Sequence, residues 1–319
     1  MRAELIRTLI ELADKDERII LLTGDLGYSV LEPFCERFPK RFFNVGVAEQ
    51  NMVGIATGLA EAGFIPFVYS IATFASLRPY EFIRNGPILH ALPVRIVGIG
   101  DGFDYGPAGP THYSLEDVGV MRIQPGITVI APADYQQART SILATWNLPG
   151  PVYYRMGKDD KFVASGLEGR FELAKAQTVR NGSDLLIVSM GSILKEAFIA
   201  AEFLAKHKIS SRIDVIASIS PAPIADLVEA LRNFSWVFTL EAHYVTGGIG
   251  SLLAEIIAEH GLKCRLIRCG VKDLFDGLSG SQAFMYRKCG ISGDILAGKM
   301  LAAMQGSKRR RKVEGVSGE

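Results

Sequence analysis

Residues 41–70 read RFFNVGVAEQNMVGIATGLAEAGFIPFVYS. The run 41–47 reads as a strand, 50–62 as a helix and 65–70 as a second strand. A strand–helix–strand unit with apolar strands implies a parallel sheet covered on both faces. Upstream, Leu5, Ile6, Leu9, Ile10 and Ala13 share one face of a helix over 2–13. The β-rich run 18–22 leads from there into Thr23-Gly24-Asp25. Downstream come a helix across 78–89, a strand at 94–99 and a Gly/Pro-rich loop at 100–112. A short helix (115–121), a strand (127–131), a helix (134–146) and a strand (151–155) complete a first domain over 1–156.

Residues 157–183 break this rhythm. Lys158, Asp159, Asp160, Lys161 and several glycines make the segment polar, and it reads as a linker. A second α/β pattern opens with a strand at 184–188. Helices at 193–207, 222–232 and 249–260 then alternate with strands at 211–217, 236–241 and 264–268. The expected architecture is therefore α/β in two domains: a parallel-sheet domain, then a smaller, mainly parallel one over 184–305. Residues 306–319, which carry KRRRK at 308–312, are expected to form a disordered, solvated tail.

Composition narrows the function. With 319 residues, two domains is the natural division, and either half can bury a core. The 35 Lys and Arg nearly balance 34 Asp and Glu, so no basic field points to nucleic acid. The four cysteines, Cys35, Cys264, Cys269 and Cys289, form no CxxC pair. They fit buried free thiols in a reducing cytosol better than a disulfide framework or zinc site. The opening MRAELIRTLIELADKD has no long apolar run, so no signal peptide is expected. No stretch reaches the ~18 apolar residues of a membrane span.

In an open parallel sheet, ligands bind beyond the carboxyl ends of the strands. There the first domain places Asp25, Glu49, the segment 70–74, Asp101, the loop ending Gly109-Pro110-Thr111-His112, and Arg155. Glu49 opens a helix. It is either a carboxylate favoured by the helix dipole or a buried acid able to share a proton with a ligand. His112 is either a surface histidine or one aimed by a rigid loop. Phe74 and Tyr80 are either core or an aromatic wall. Gly100-Asp101-Gly102 looks like the opening of a diphosphate-binding GDG motif. The required Asn 25–30 residues on is missing, and the next Asn after it is Asn147.

Four stretches carry a resemblance: FNVGVAEQNMVG at 43–54, PFVYSIATFASLRPYEFIR at 66–84, GPTHYSLE at 109–116 and VIAPAD at 129–134. They resemble the pyrimidine-binding domain of transketolases. Glu241-Ala242-His243 and Gly247-Gly248-Ile249-Gly250 resemble the transketolase C-terminal domain. The likeness spans the chain up to the basic tail. A complete transketolase also has an N-terminal diphosphate-binding domain. The chain thus resembles the C-terminal subunit of a split transketolase, a transferase that moves a two-carbon ketol unit in carbohydrate metabolism. The resemblance implies thiamine diphosphate as cofactor and Mg²⁺ held by an N-terminal partner subunit, with no metal ligands here. It also implies pairing of pyrimidine domains in an α2β2 heterotetramer, and a cytoplasmic enzyme with no nucleic-acid or membrane partner.

By motif, Glu49 matches the glutamate that hydrogen-bonds N1′ of the cofactor's aminopyrimidine. Phe74 matches the aromatic that stacks on that ring, Tyr80 a second aromatic of the pocket, and Asp25 an acid near the cofactor. Ile71 replaces a further aromatic. His112 matches a histidine at the donor sugar's reacting carbons. Arg2, Ser29 and Arg155 match sugar-phosphate anchors. Gly100 stands where a phosphate-contacting histidine is expected, and Ala108 where an aspartate reads a sugar hydroxyl. Both departures point towards a modified or deoxy sugar. The beta subunit of a 2-oxoacid dehydrogenase decarboxylase and a 1-deoxyxylulose-5-phosphate synthase-like enzyme are alternatives of the same class. A non-catalytic scaffold or regulatory partner is the alternative of a different class.

Overall fold

The computed structural model describes residues 1–273 and 277–314, with side chains described as far as Gln305. Its strands are β1 (Ile19–Thr23), β2 (Phe42–Asn44), β3 (Ile65–Ile71), β4 (Arg95–Ile99), β5 (Thr128–Ile130), β6 (Val152–Met156), β7 (Gln177–Arg180), β8 (Leu185–Ser189), β9 (Ser211–Val215), β10 (Ser218–Ser220), β11 (Trp236–Tyr244) and β12 (Arg265–Val271). The first domain's helices are α1 (Arg2–Ala13), α2 (Glu32–Arg37), α3 (Glu49–Glu61), α4 (Ala72–Leu77), α5 (Tyr80–Ile83), α6 (Asp117–Arg122) and α7 (Tyr135–Thr145). The second domain's are α8 (Leu194–Lys206), α9 (Ile224–Asn233), α10 (Ile249–Glu259), α11 (Gln282–Cys289) and α12 (Gly293–Glu314).

Strands β1, β3, β4, β6 and β8 are buried at every position. That is the signature of parallel strands covered on both faces. The first sheet runs β10-β5-β6-β4-β3-β1-β2 and the second β12-β11-β8-β9-β7. All pairings are parallel except β10 on β5 and β7 on β9. The two-domain α/β architecture is as the sequence implies.

Four details differ from expectation. Strand β7 lies inside the polar segment read as a linker, because Gln177 and Thr178 pair with Val215 and Asp214 of β9. Strand β10 leaves the second domain and completes the first sheet, with Ser218 opposite Ile130. The helix expected across 78–89 is interrupted: α4 already ends at Leu77, and α5 and a π-helical turn over Arg84–Ile88 follow. Pro79 and Pro87 lack the N–H that a continuous helix requires there. Finally, α12 continues through the basic run to Glu314, where a disordered tail was expected. Residues 315–319 of that tail lie outside the described residues.

Capping follows the local sequence. Asp134 opens α7 by accepting from the Gln137 N–H at 2.8 Å, and Gln137 reaches back to the Ala133 N–H at 2.9 Å. The second oxygen of Asp134 accepts from the Ala164 N–H at 2.8 Å, tying the crossing segment down.

One apolar cluster faces α1, α2 and α7. Two others cross the domain boundary. In one, Val118 and Met121 of α6 join Leu227, Ile249 and Leu253 of the second domain. In the other, Phe103, Tyr113 and Leu115 join Ile187, Leu240 and Met285. Each such buried side chain contributes about 1.5–3 kcal/mol.

A buried polar network locks the same boundary. Arg155, at the end of β6, is fully buried. Its Nε donates to Asp117 at 2.8 Å, and one terminal nitrogen to Asp101 at 3.3 Å. The other donates to the carbonyls of Ser114 at 3.0 Å and Ala242 at 2.9 Å. Asp101 in turn accepts from the Ser192 hydroxyl at 2.6 Å and N–H at 3.1 Å. Gly191 has φ +70°, and a Cβ there would stand 2.7 Å from the Asp101 carboxylate. Arg155 is therefore corrected from sugar-phosphate anchor to interdomain pin, since its guanidinium is committed and sealed from solvent.

His243 adds a second pin. Its Nε2 accepts from the Gly119 N–H at 3.2 Å and its Nδ1 donates to the Tyr244 carbonyl at 2.6 Å. Burial lowers its pKa below the ordinary 6.5, with Asp117 opposing and Arg155 reinforcing the shift. Glu241 holds the start of α10 through the N–H groups of Ile249 at 2.7 Å and Gly250 at 3.0 Å. Burial pushes its pKa up to about 7, while those N–H groups pull it down. No helix among the described residues is long and apolar enough to cross a membrane.

Replacing Arg155 by Met should cost about 3–5 kcal/mol, because two buried carboxylates lose their cation; urea unfolding measures the loss. The stability supplied by neutral His243 should be complete above about pH 6.5. It should fall as pH drops from there through the lower folded pKa. In His243→Gln that part of the acid sensitivity should vanish, as thermal melts against pH would report.

Candidate active site

Glu49 is the first residue of α3 and only 1% exposed. Its Oε1 accepts from the Ser70 hydroxyl of β3 at 3.1 Å. Its Oε2 accepts from Arg78 at 2.8 Å. Gly24, just past β1, leaves the space beside this carboxylate open: a Cβ there would lie 3.8 Å from Oε1. Three adjacent strand ends thus converge on one buried acid.

Phe74 on α4 is half-buried. Its ring meets His112 edge-on, with centroids 5.1 Å apart. The Arg78 guanidinium lies 3.7 Å from the Phe74 ring centre. His112 sits on a 3-10 turn, Pro110–His112, with Nδ1 2.9 Å from the Thr111 hydroxyl. Tyr105 lies 6.4 Å from His112. The Lys158 ammonium covers the Tyr105 ring at 4.1 Å. Glu49, Arg78, Phe74, His112, Tyr105 and Lys158 therefore form one row along the carboxyl edge of the sheet.

Charge is uneven along the row. Burial lowers the pKa of Lys158, and neighbouring Arg2 lowers it further, with Asp104 opposing. The Nε of Arg2 is buried and has no hydrogen-bond partner among the described residues. Burial and the Asp101 charge push Asp104 well above the usual carboxylate range, although the Lys158 N–H at 2.7 Å and its ammonium act against them.

The other candidates make their hydrogen bonds to groups other than Glu49. Asp25 is exposed and accepts from the Tyr28 hydroxyl at 2.9 Å and the Asn44 amide at 3.0 Å. These bonds, that from Asn44 first, lower its pKa. Ser29 is exposed, and its N–H donates to Glu32 at 2.7 Å. Tyr80 braces α6: its hydroxyl donates to the Val120 carbonyl at 2.9 Å and accepts from Gln124 at 2.6 Å. Ile71 ends β3 as a buried side chain and leads into α4.

Sequence reasoning placed Ser70 only within the segment 70–74, without a role, and missed Arg78, Tyr105 and Lys158. Tyr105 explains Gly100, since a Cβ there would strike the Tyr105 ring. No group of three or more His, Cys, Asp or Glu among the described residues could hold a metal ion.

The chain thus has two α/β domains locked in this way and a buried helix-start carboxylate beside an aromatic face at the first sheet's carboxyl edge. Residues 1–161 match the family described as transketolase, pyrimidine binding domain, and residues 174–294 that described as transketolase, C-terminal domain. A putative transketolase C-terminal section from Methanocaldococcus jannaschii is 38% identical over 308 residues, covering 96% of each chain. A 6-deoxy-6-sulfo-D-fructose transketolase subunit from a Clostridium species is 35% identical, covering 92% of this chain and 90% of its own. A solved structure described as a split gene transketolase, inactive beta4 tetramer, superposes with TM-score 0.84 at 32% identity. It covers 95% of this chain and 97% of its own. The chain belongs to the transketolase family, and its two domains are that family's pyrimidine-binding and C-terminal domains.

Ser70→Ala should leave Glu49 Oε1 without its buried donor. A loss of about 1–3 kcal/mol is expected in denaturant unfolding, with the fold retained by circular dichroism.

Proposed function

We propose that the chain is the C-terminal subunit of a thiamine-diphosphate-dependent transketolase, active with a separate N-terminal diphosphate-binding subunit. It would move a two-carbon ketol unit from a ketose or ketose phosphate to an aldose acceptor. The observation that carries this reading is the buried Glu49 carboxylate at the start of α3, set beside the half-buried face of Phe74. A flat heteroaromatic ring with a protonatable nitrogen fits that pair, because the ring face needs an aromatic partner and the nitrogen needs an acid. When bound, the cofactor supplies an acidic thiazolium carbon and an electron sink.

The chain's own residues then have distinct tasks. Glu49 holds the proton at the ring nitrogen, and Ser70 fixes its other oxygen. Phe74 stacks on the ring, with Ile71 and Tyr80 supporting the wall and Asp25 contributing an acid nearby. His112, oriented by Thr111, hydrogen-bonds the donor sugar at its reacting carbons. Arg2, Ser29 and Lys158 attract the anionic end of the sugar. Mg²⁺ would take its ligands from the partner subunit.

Pyrimidine domains would pair in an α2β2 assembly working in the cytoplasm. The exposed Val47, Ile55, Leu77, Phe82 and Leu89 of the first domain supply apolar surface for such contacts. A relative described as a split gene transketolase, inactive beta4 tetramer, supports the need for a second subunit. Gly100 and Ala108 favour a modified sugar, and a relative named for 6-deoxy-6-sulfo-D-fructose supports that choice.

Mixing the chain with its candidate N-terminal subunit, thiamine diphosphate, Mg²⁺ and a panel of ketose phosphates and sulfonates should give ketol transfer. Neither chain alone should do so; turnover by this chain alone would refute the need for a partner. Glu49→Ala should lower kcat by about 10²–10⁴ in the mixture, whereas a scaffold would lose nothing. Lys158→Met should raise KM for anionic donors about tenfold and leave kcat nearly unchanged.

A further inference from the structure

Arg78 stands at the break between α4 and α5, directly before Pro79. Its backbone is still helical, so Arg78 shares a face of α4 with Phe74 four residues earlier. From there the guanidinium reaches the start of α3. It meets Glu49 Oε2 at 2.8 Å and covers the Phe74 ring at 3.7 Å. The guanidinium is planar, carries its N–H donors in that plane, and presents its face to an aromatic ring. A protonated aminopyrimidine offers the same combination: in-plane N–H donors and a flat face.

Resting on the cofactor reading above, we propose that Arg78 is an internal competitor for the pyrimidine seat. Its guanidinium uses the two contacts the ring needs, and 3.7 Å is stacking distance, so the ring and the guanidinium exclude each other. Binding requires Arg78 to swing outward. That path is open, because the Arg78 side chain is 41% exposed while the Glu49 it covers is 1% exposed. Among the described residues, Glu49 is its sole hydrogen-bond partner. Losing the partner costs Arg78 little, since water solvates it. Glu49 always keeps a donor, either the guanidinium or the ring, and is never left buried and unpaired. The apparent affinity for the cofactor is the intrinsic affinity scaled by the fraction of chains with Arg78 out. Arg78 therefore sets how much cofactor is needed to load the site and rejects ligands too weak to displace it.

The test is equilibrium binding by calorimetry on the full chain assembled with its N-terminal subunit. The probes are thiamine diphosphate and the free aminopyrimidine alcohol of thiamine, against wild type, Arg78→Ala, Arg78→Lys and Glu49→Gln. Arg78→Ala should bind both probes about tenfold more tightly. Arg78→Lys, with no flat face, should fall between. Methylguanidinium should weaken probe binding to Arg78→Ala and leave wild type nearly unaffected. Unchanged or weaker binding by Arg78→Ala, with wild-type binding intact and Glu49→Gln impaired, would overturn the competitor role and leave the cofactor reading standing. Absence of binding in wild type and every variant would overturn both.

Discussion

The Arg155 guanidinium is the constraint on which the rest of the structure depends. A buried cation must be met by charge and by acceptors on every side. Here those come from Asp101 and Asp117 of the first domain and from the Ala242 carbonyl of the second. Satisfying one side chain thus fixes β6, α6, the loop after β4 and the long strand β11 relative to one another. That loop carries Tyr105 and His112, so the pin also sets where the row of candidate site residues begins. Asp101 takes a position that would suit a ligand in an isolated α/β domain: an anion on backbone and hydroxyl donors just beyond β8. The first domain fills the second domain's crevice with its own carboxylate.

Much of this was legible in the sequence, for a physical reason. Strands β1, β3, β4, β6 and β8 are buried on both faces, so each reads as an apolar run. Their order and the intervening helices give the parallel sheets. Strands β7 and β10 were not legible. Both are short and polar, and both exist only because of antiparallel partners elsewhere in the chain: Val215 and Asp214 for β7, Ile130 and Val129 for β10. Local propensity carries no record of such partners.

The site divides in the same way. Glu49, Phe74 and His112 were visible through their motifs, and the structure brings Phe74 against His112 and links Glu49 to Phe74 through Arg78. Arg155 was visible but misassigned. An arginine at a strand end suits an anion anchor and a buried pin equally, and acids 38 and 54 positions away decide between them. Arg78 was invisible because nothing in its local helical pattern records its partner Glu49, 29 positions earlier.

Strand β10 has a consequence for how the molecule is made. Residues 218–220 close the edge of a sheet whose other strands end at Met156. During synthesis the first sheet waits with β5 unpaired on one side while some sixty further residues emerge. Those residues include most of the central strands of the second sheet. The two domains are therefore not successive folding units. The edge that would invite other chains is sealed late, by a piece of the neighbouring domain. A cut anywhere between Met156 and Ser218 separates a sheet from its own last strand.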